Sequence, residues 1–152
     1  MTTISSYIAL LLAQVRDLPL PEDANFGDEL HWINELVYHL NPSLRMGVKI
    51  TTEERDKLLE LTEAMQARSG GQGFVLPEGS EAAALAHIVR CKCKKLVRLT
   101  YRHLEAAGRG ELTQEALEIL IDVPNLLSGY FFGFALTLVN NRCPGSWRPS
   151  KS

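Results

Sequence analysis

Apolar residues recur at every third or fourth position in five segments of this chain, and breaks that contain proline or glycine separate the segments. This spacing places apolar side chains on one face of an α-helix, whereas a half-buried strand alternates apolar and polar residues. No run of the chain alternates in that way, and β-branched residues are sparse. The sequence therefore predicts an all-α protein, a single bundle of five helices near residues 4–15, 28–40, 52–69, 81–107 and 114–140.

Residues that favour helix N-termini stand where three of these helices begin. Thr51 or Thr52 precedes two acidic residues in the first turn of the third helix, where carboxylates suit the positive end of the helix dipole. Ser80 and Thr113 are the candidate N-caps of the fourth and fifth helices, because a hydroxyl oxygen can accept a hydrogen bond from a free backbone N–H of the first turn.

Prolines and glycines modify the second and fifth helices. Asn41-Pro42 is expected to close the second helix, since proline lacks a backbone N–H. Pro124 lies inside the fifth helix and is expected to kink or split it. Gly129 and Gly133 follow at a spacing of one turn, and their missing side chains are expected to let another helix approach closely.

Length and charge restrict the class of protein. A chain of 152 residues is expected to form one domain whose core needs no disulfide or metal. We assign residues 1–141 to the bundle and residues 142–152, which are rich in proline, glycine and serine, to a flexible C-terminal tail. The formal net charge of −2 argues against general binding to nucleic acid or to an anionic membrane surface.

The cysteines and the N-terminal apolar run bear on cellular location. Three cysteines are too few for a disulfide framework, which indicates a reducing compartment. The apolar run of residues 7–13 falls short of the ~20 residues that a membrane helix needs, and no basic segment precedes it. These features predict a cytoplasmic protein without a membrane-spanning segment.

The fourth helix carries a dense row of positive charge. Arg90, Lys94 and Arg98 recur one turn apart on a single helix face. Like charges at this spacing repel one another unless an anion such as a polyphosphate neutralises them. The alternative is a solvated face with partner carboxylates from the third helix, and the residues alone favour this alternative because most charge runs are surface.

A metal site is not predicted. Cys91 and Cys93 are two positions apart, which turns their thiols roughly 200° from each other around a helix. His31 and His39 on the second helix are more typical of surface or hydrogen-bonded groups than of metal ligands. The glycine-rich motifs that bind phosphate or expose a nucleophile are absent from the sequence.

Two stretches of the chain resemble one known family. The first runs from Phe74 to Arg98 and reads F-V-L-P-E-G-S, then small residues, then His87, Arg90 and the basic row. The second, N-L-L-S-G-Y-F-F, begins at Asn125. The chain resembles the ATP:cob(I)alamin adenosyltransferases of the PduO type, whose motifs read F-V-L-P-G-G, L-H-x-A-R-T-x-x-R-R-A-E-R and L-N-R-L-S-D-Y-L-F. The resemblance covers nearly the whole chain.

The resemblance implies a five-helix bundle that assembles as a homotrimer with its sites between subunits. It also implies transfer of the 5′-deoxyadenosyl group of ATP, which Mg²⁺ accompanies, to reduced cobalamin. Phe74 corresponds to the loop phenylalanine that packs against the corrinoid. Arg90, the implied catalytic residue, and Lys94 correspond to arginines of the nucleotide site, and Asn125 corresponds to the asparagine that contacts ATP.

The chain departs from the family pattern at several polar positions. In the sequence as given, the family's N-terminal phosphate-binding loop is expected to be missing, and a start codon further upstream would restore it. Thr2 stands in place of the aspartate that pairs with the arginine matched by Arg90. Val97, Leu126 and Gly129 replace a glutamate, an arginine and an aspartate. Each lost charge-assisted hydrogen bond removes roughly 1.5–3 kcal/mol. We therefore expect ATP to bind with millimolar or weaker affinity, and adenosyltransferase activity to be reduced or lost.

Two functions stay open from the sequence. One is a weak adenosyltransferase, and the other is a non-catalytic relative that binds a corrinoid or nucleotide or assembles with other proteins. Phe74 is expected to face a cleft between subunits in a corrinoid-binding protein and to pack in its own core in an assembly module. Because Thr2 supplies no carboxylate, Arg90 is expected to pair with Asp28, Glu29, a bound anion or a backbone carbonyl.

Overall fold

The computed structural model of the protein describes residues 2–16, 25–46, 50–69, 81–107 and 113–142. Within these ranges the chain forms five α-helices and no β-strand. The helices are α1 (Thr2–Val15), α2 (Phe26–Met46), α3 (Thr52–Ser69), α4 (Glu81–Ala107) and α5 (Gln114–Arg142). The predicted all-α, five-helix fold is confirmed.

Side-chain caps begin α3 and α5, as predicted. The backbone N–H of Thr51 donates to Oε1 of Glu54 at 2.9 Å, and the N–H of Glu54 donates to the Thr51 hydroxyl at 3.1 Å. This reciprocal pair is a capping box, and it identifies Thr51 rather than Thr52 as the N-cap. At the start of α5, the N–H of Ala116 donates to Oγ1 of Thr113 at 3.0 Å.

Two prolines do not end the helices that contain them. α2 continues through Asn41-Pro42 to Met46, so the prediction that this pair closes the helix is wrong. α5 likewise runs through Pro124 without splitting, and a bend at that position stays a prediction. A proline removes one backbone hydrogen bond and crowds the preceding turn, but most of the stability of a helix comes from the packing of its apolar face.

α5 lies at the centre of the bundle, with its most extensive contacts to α4 and α3, while α1 contacts α2 and α4. α3 and α5 run parallel, because Arg55 pairs with Asp122 near their N-termini and Met65 lies beside Gly133 towards their C-termini. α4 and α5 are antiparallel neighbours, since only a short segment joins them. The core draws on every helix and includes Ile8, Leu11, Leu30, Ile33, Leu36, Leu58, Val89, Leu120, Phe131 and Phe134.

Gly129 and Gly133 bring α3 close to α5. A Cβ atom at Gly133 would lie 3.0 Å from Cγ of Met65 and 3.4 Å from that residue's backbone, and one at Gly129 would lie 3.2 Å from Nε2 of Gln66. The predicted close approach of a helix is therefore confirmed, and the approaching helix is α3 of the same chain. The two glycines consequently give no support to a contact between subunits.

α5 is also long and apolar enough to cross a membrane, over residues Gln114–Leu138. The core helix of a bundle meets the same criteria, and 67% of the apolar window is buried inside this one. Packing in the core accounts for the apolarity of α5, and the absence of a membrane-spanning segment stays a prediction.

Candidate functional site

The candidate site residues divide between two neighbouring helices. Arg90 and Lys94 lie on α4, and Asn125 lies on α5. Phe74 and Ser80 fall within residues 70–80, outside the described residues, so their predicted roles as corrinoid contact and N-cap stay predictions. The part of the site that can be built from geometry is therefore the α4–α5 face.

Arg90 is half-buried and has no carboxylate partner among the described residues. Its guanidinium carbon lies 4.9 Å from the centre of the Phe132 ring, and its Nε is buried without a hydrogen-bond partner in the described part of the chain. The expectation that Asp28 or Glu29 pairs with Arg90 is wrong, because the face of an aromatic ring takes the place of a carboxylate. Arg90 is thus a cation that lacks a counter-charge within this part of the chain.

His87 stands three residues before Arg90 on α4 and is also half-buried. Burial, and after it the positive charge of Arg90, lower the pKa of His87 below its ordinary value of 6.5. The imidazole is therefore neutral at pH 7, and the positive charge of the site comes from Arg90 and the residues that follow it.

The rest of the basic row is open to solvent. Lys94, Lys95, Arg98 and Arg102 are exposed, and none of them pairs with a carboxylate of the described residues. α3 packs against α5 and α2, and its carboxylates do not neutralise this row. The interpretation that α3 supplies the partners is therefore wrong for the residues that the structure describes, and the row is available to an anion.

Asn125 is exposed on α5, where its side-chain N–H donates to the carbonyl of Ile121 at 3.0 Å. Phe132 of α5 lies beside Arg90 of α4. Asn125 precedes Phe132 by seven residues, or two helical turns, so it lies on the same face of α5, roughly 10 Å from Phe132 along the helix axis. Lys94 lies one turn after Arg90 on α4. Because α4 and α5 are antiparallel, the step from Arg90 to Lys94 points in the same direction as the step from Phe132 back to Asn125. The three residues are therefore spaced along a line, an arrangement that suits an elongated ligand.

A comparison with known families identifies the family of this chain. The model of the family described as cobalamin adenosyltransferase matches residues 1–138. This chain belongs to the cobalamin adenosyltransferase family. No curated protein matches it in sequence. The resemblance drawn from the two motifs is confirmed, and the match spans Phe74, Arg90, Lys94 and Asn125.

Two positions that are polar in the family motifs serve packing in this member of the family. A side chain at Gly129 would meet Gln66 and Thr62 of α3. Leu126 packs against the core, and its carbonyl accepts a hydrogen bond from the Thr62 hydroxyl at 3.3 Å. The third position, Val97, is half-buried on α4. At positions 126 and 129 this chain thus lacks the charged side chain of the family motif, and α5 packs against α3 there instead.

A buried tyrosine that the sequence did not single out ties three helices together. The Tyr130 hydroxyl donates to Oε1 of Glu29 at 2.8 Å, which links α5 to the first turn of α2. Burial, followed by the nearby charge of Glu29, raises the pKa of Tyr130 well above 10.0, while Arg68 acts in the opposite direction. Arg68, in the last turn of α3, also lies 5.4 Å from the centre of the Phe26 ring. A tyrosine in an apolar helix indicates a polar partner, but only the packing identifies Glu29.

Other parts of the described structure suit the family ligands less well. A shallow groove of about 230 Å³ lies between α2 and α3, and its lining includes Glu35 and Glu54, whose carboxylates repel a phosphate. No three His, Cys, Asp or Glu residues within the described ranges lie close enough to hold a metal ion. The lack of a protein-bound metal stays a prediction.

Cys91 and Cys93 lie on opposite faces of α4, as predicted. Cys91 is exposed, whereas Cys93 is 0% exposed, and burial raises its pKa from 9.0 to about 12. Because the thiolate is the reactive form, we expect iodoacetamide to alkylate Cys91 in the folded protein and to modify Cys93 only after denaturation. Mass spectrometry of the peptides scores each cysteine separately. Equal labelling of both in the folded protein would contradict the burial of Cys93.

Proposed function

We propose that this protein binds an adenine nucleotide along the α4–α5 face and transfers its adenosyl group to a reduced corrinoid at a low rate. The observation that carries the proposal is Arg90, a half-buried guanidinium without a counter-charge among the described residues. Partial burial of an unpaired cation is unfavourable, and an anionic ligand supplies the missing charge. Lys94 and Asn125 continue the line from Arg90 and fit the length of a nucleotide.

The chemistry of adenosyl transfer requires positive charge where the leaving group forms. When the reduced cobalt attacks C5′ of ATP, the cobalt–carbon bond forms, the C5′–O bond breaks and triphosphate leaves. Arg90 and Lys94 would stabilise that polyanion as it departs, and Asn125 would orient the nucleoside end. Mg²⁺ enters with the phosphates as part of the substrate.

Three substitutions of polar family positions support a low rate. A charged group of the family motif is missing at Val97, Leu126 and Gly129. Each missing charge-assisted hydrogen bond weakens ligand binding by roughly 1.5–3 kcal/mol. At two of these positions the structure uses the space for helix packing, which favours a second candidate function, a non-catalytic corrinoid- or nucleotide-binding protein. In either case we expect ATP to bind with millimolar or weaker affinity.

We further propose a homotrimer in which the corrinoid contacts Phe74 between subunits. The support in the structure is that Ile88 and Leu99, two apolar side chains three turns apart on one side of α4, are 37% and 47% exposed. Light scattering is expected to give three times the 16.9 kDa mass of one chain. A monomer at micromolar concentration would remove the intersubunit site.

An anaerobic assay of reduced cobalamin with ATP tests the transferase proposal. Slow adenosylation by the wild type is expected, with kcat/KM lower by about 10- to 100-fold in Arg90→Met, because one charge-assisted hydrogen bond is lost. Arg16→Met is the matched control, since it removes the same charge from an exposed position outside the basic row of α4. Its kcat/KM is expected to stay close to that of the wild type.

Measurements on the wild type and on Phe74→Ala separate the two candidate functions. If the wild type adenosylates no cobalamin, the transferase proposal fails and the binding function is tested by spectral titration with cobalamin. A spectral shift in the wild type that is absent from Phe74→Ala supports a corrinoid site. No shift in either protein overturns the corrinoid site and leaves a role in assembly.

A further inference from the structure

The side chain that lies against Arg90 is an aromatic ring. The guanidinium carbon of Arg90 lies 4.9 Å from the centre of the Phe132 ring, within the distance of an attractive cation–π contact. Both residues are half-buried, and such contacts strengthen as water is removed. Phe132 has no other ring or cation contact among the described residues, so its ring is not part of the buried aromatic cluster of α5.

The surroundings of Arg90 offer few other groups that could orient it. Its Nε is buried without a hydrogen-bond partner, and no carboxylate of the described residues pairs with it. His87 lies one turn before Arg90 on α4, and burial, followed by the charge of Arg90, lowers the pKa of His87. Without the ring, the long and flexible side chain of Arg90 would sample many rotamers.

We propose that Phe132 is a positioning residue that holds the guanidinium of Arg90 in place for the phosphate groups of a bound nucleotide. A carboxylate in this role would cancel part of the positive charge, whereas an aromatic face orients the cation and leaves its net charge available to the anion. This inference rests on the proposed function for the identity of the ligand. The geometry of the Arg90–Phe132 pair does not depend on catalysis.

The test compares Phe132→Leu with two further variants. Leucine keeps an apolar side chain of similar size but removes the ring face, and Phe132→Tyr keeps the face and is the conservative rescue. Trp32→Leu is the matched control, because it removes another cation–π contact, with Nζ of Lys57 at 4.5 Å, from the α2–α3 side of the bundle. Inorganic triphosphate serves as the probe, and NMR titration reports both its affinity and the pKa of His87.

Phe132→Leu is expected to bind triphosphate about tenfold more weakly than the wild type. Burial and, after it, the charge of Arg90 lower the pKa of His87, and this pKa is expected to rise in the same variant because the charge of Arg90 is no longer held beside the imidazole. Phe132→Tyr and Trp32→Leu are expected to match the wild type in both measurements. A purely structural role of Phe132 would lower the thermal stability and leave the triphosphate affinity of the folded protein unchanged.

Two results would overturn the inference. One is an unchanged triphosphate affinity and an unchanged His87 pKa in folded Phe132→Leu, and the other is a wild type that does not bind triphosphate. Failure of the proposed function is a different result, since a wild type that binds triphosphate through Arg90 but adenosylates no cobalamin leaves the role of Phe132 intact.

Discussion

Phe134→Ala is expected to lower the free energy of unfolding by about 3–5 kcal/mol. Phe134 is 0% exposed and lies among three other aromatic rings. The centre of its ring is 4.9 Å from that of Phe26, 5.8 Å from that of Tyr130 and 6.5 Å from that of Phe131. Truncation removes apolar contact with α2 as well as within α5, and the surrounding rings cannot close the resulting cavity completely. Urea unfolding followed by circular dichroism measures the loss.

Two control variants define what this result means. Phe134→Leu retains most of the side-chain volume and is expected to lose less than half as much stability as Phe134→Ala. Tyr38→Ala truncates an aromatic residue that is 65% exposed, and its effect is expected to stay within about 0.5 kcal/mol. Equal stability of Phe134→Ala and the wild type would contradict the placement of this ring at the centre of the bundle.

Gly133→Val is expected to destabilise the protein by about 2–3 kcal/mol through overpacking of α5 against α3. The Cβ alone would lie 3.0 Å from Cγ of Met65 and 3.4 Å from the Met65 backbone, and the two methyl groups of valine need still more space. The backbone of α3 cannot move aside locally, because Arg55 and Thr62 hold it to α5 on the same side. A thermal melt is expected to show a midpoint lower by several degrees.

Gly129→Ala is the comparison that separates packing from helix propensity. Its Cβ would meet the mobile end of Gln66 at 3.2 Å and a methyl group of Thr62 at 3.5 Å. Alanine also favours the helix by about 1 kcal/mol relative to glycine, so the net effect is expected to lie near zero or to be stabilising. Strong destabilisation by this change, or none by Gly133→Val, would show that the helices approach each other differently.

Local signals in the sequence determined the helices and their faces. The caps at Thr51 and Thr113 follow from hydrogen bonds that close between residues three positions apart, so both partners are visible in a short stretch of sequence. The opposite exposure of Cys91 and Cys93 follows from the rotation of about 100° per residue in a helix. The motif around Arg90 indicated the family, because its residues recur at the same spacing as in the family motif.

Only the tertiary structure decided which groups meet across the bundle. α3 fills the space beside Gly129 and Gly133, Phe132 rather than a carboxylate lies against Arg90, and Glu29 bonds to Tyr130, 101 residues away. The periodicity of a helix specifies that a face is buried, but it does not specify the neighbour that buries it. That choice depends on the combined packing of all five helices. The continuation of α2 past Pro42 was likewise not visible in the local pattern, in which the proline predicted an end.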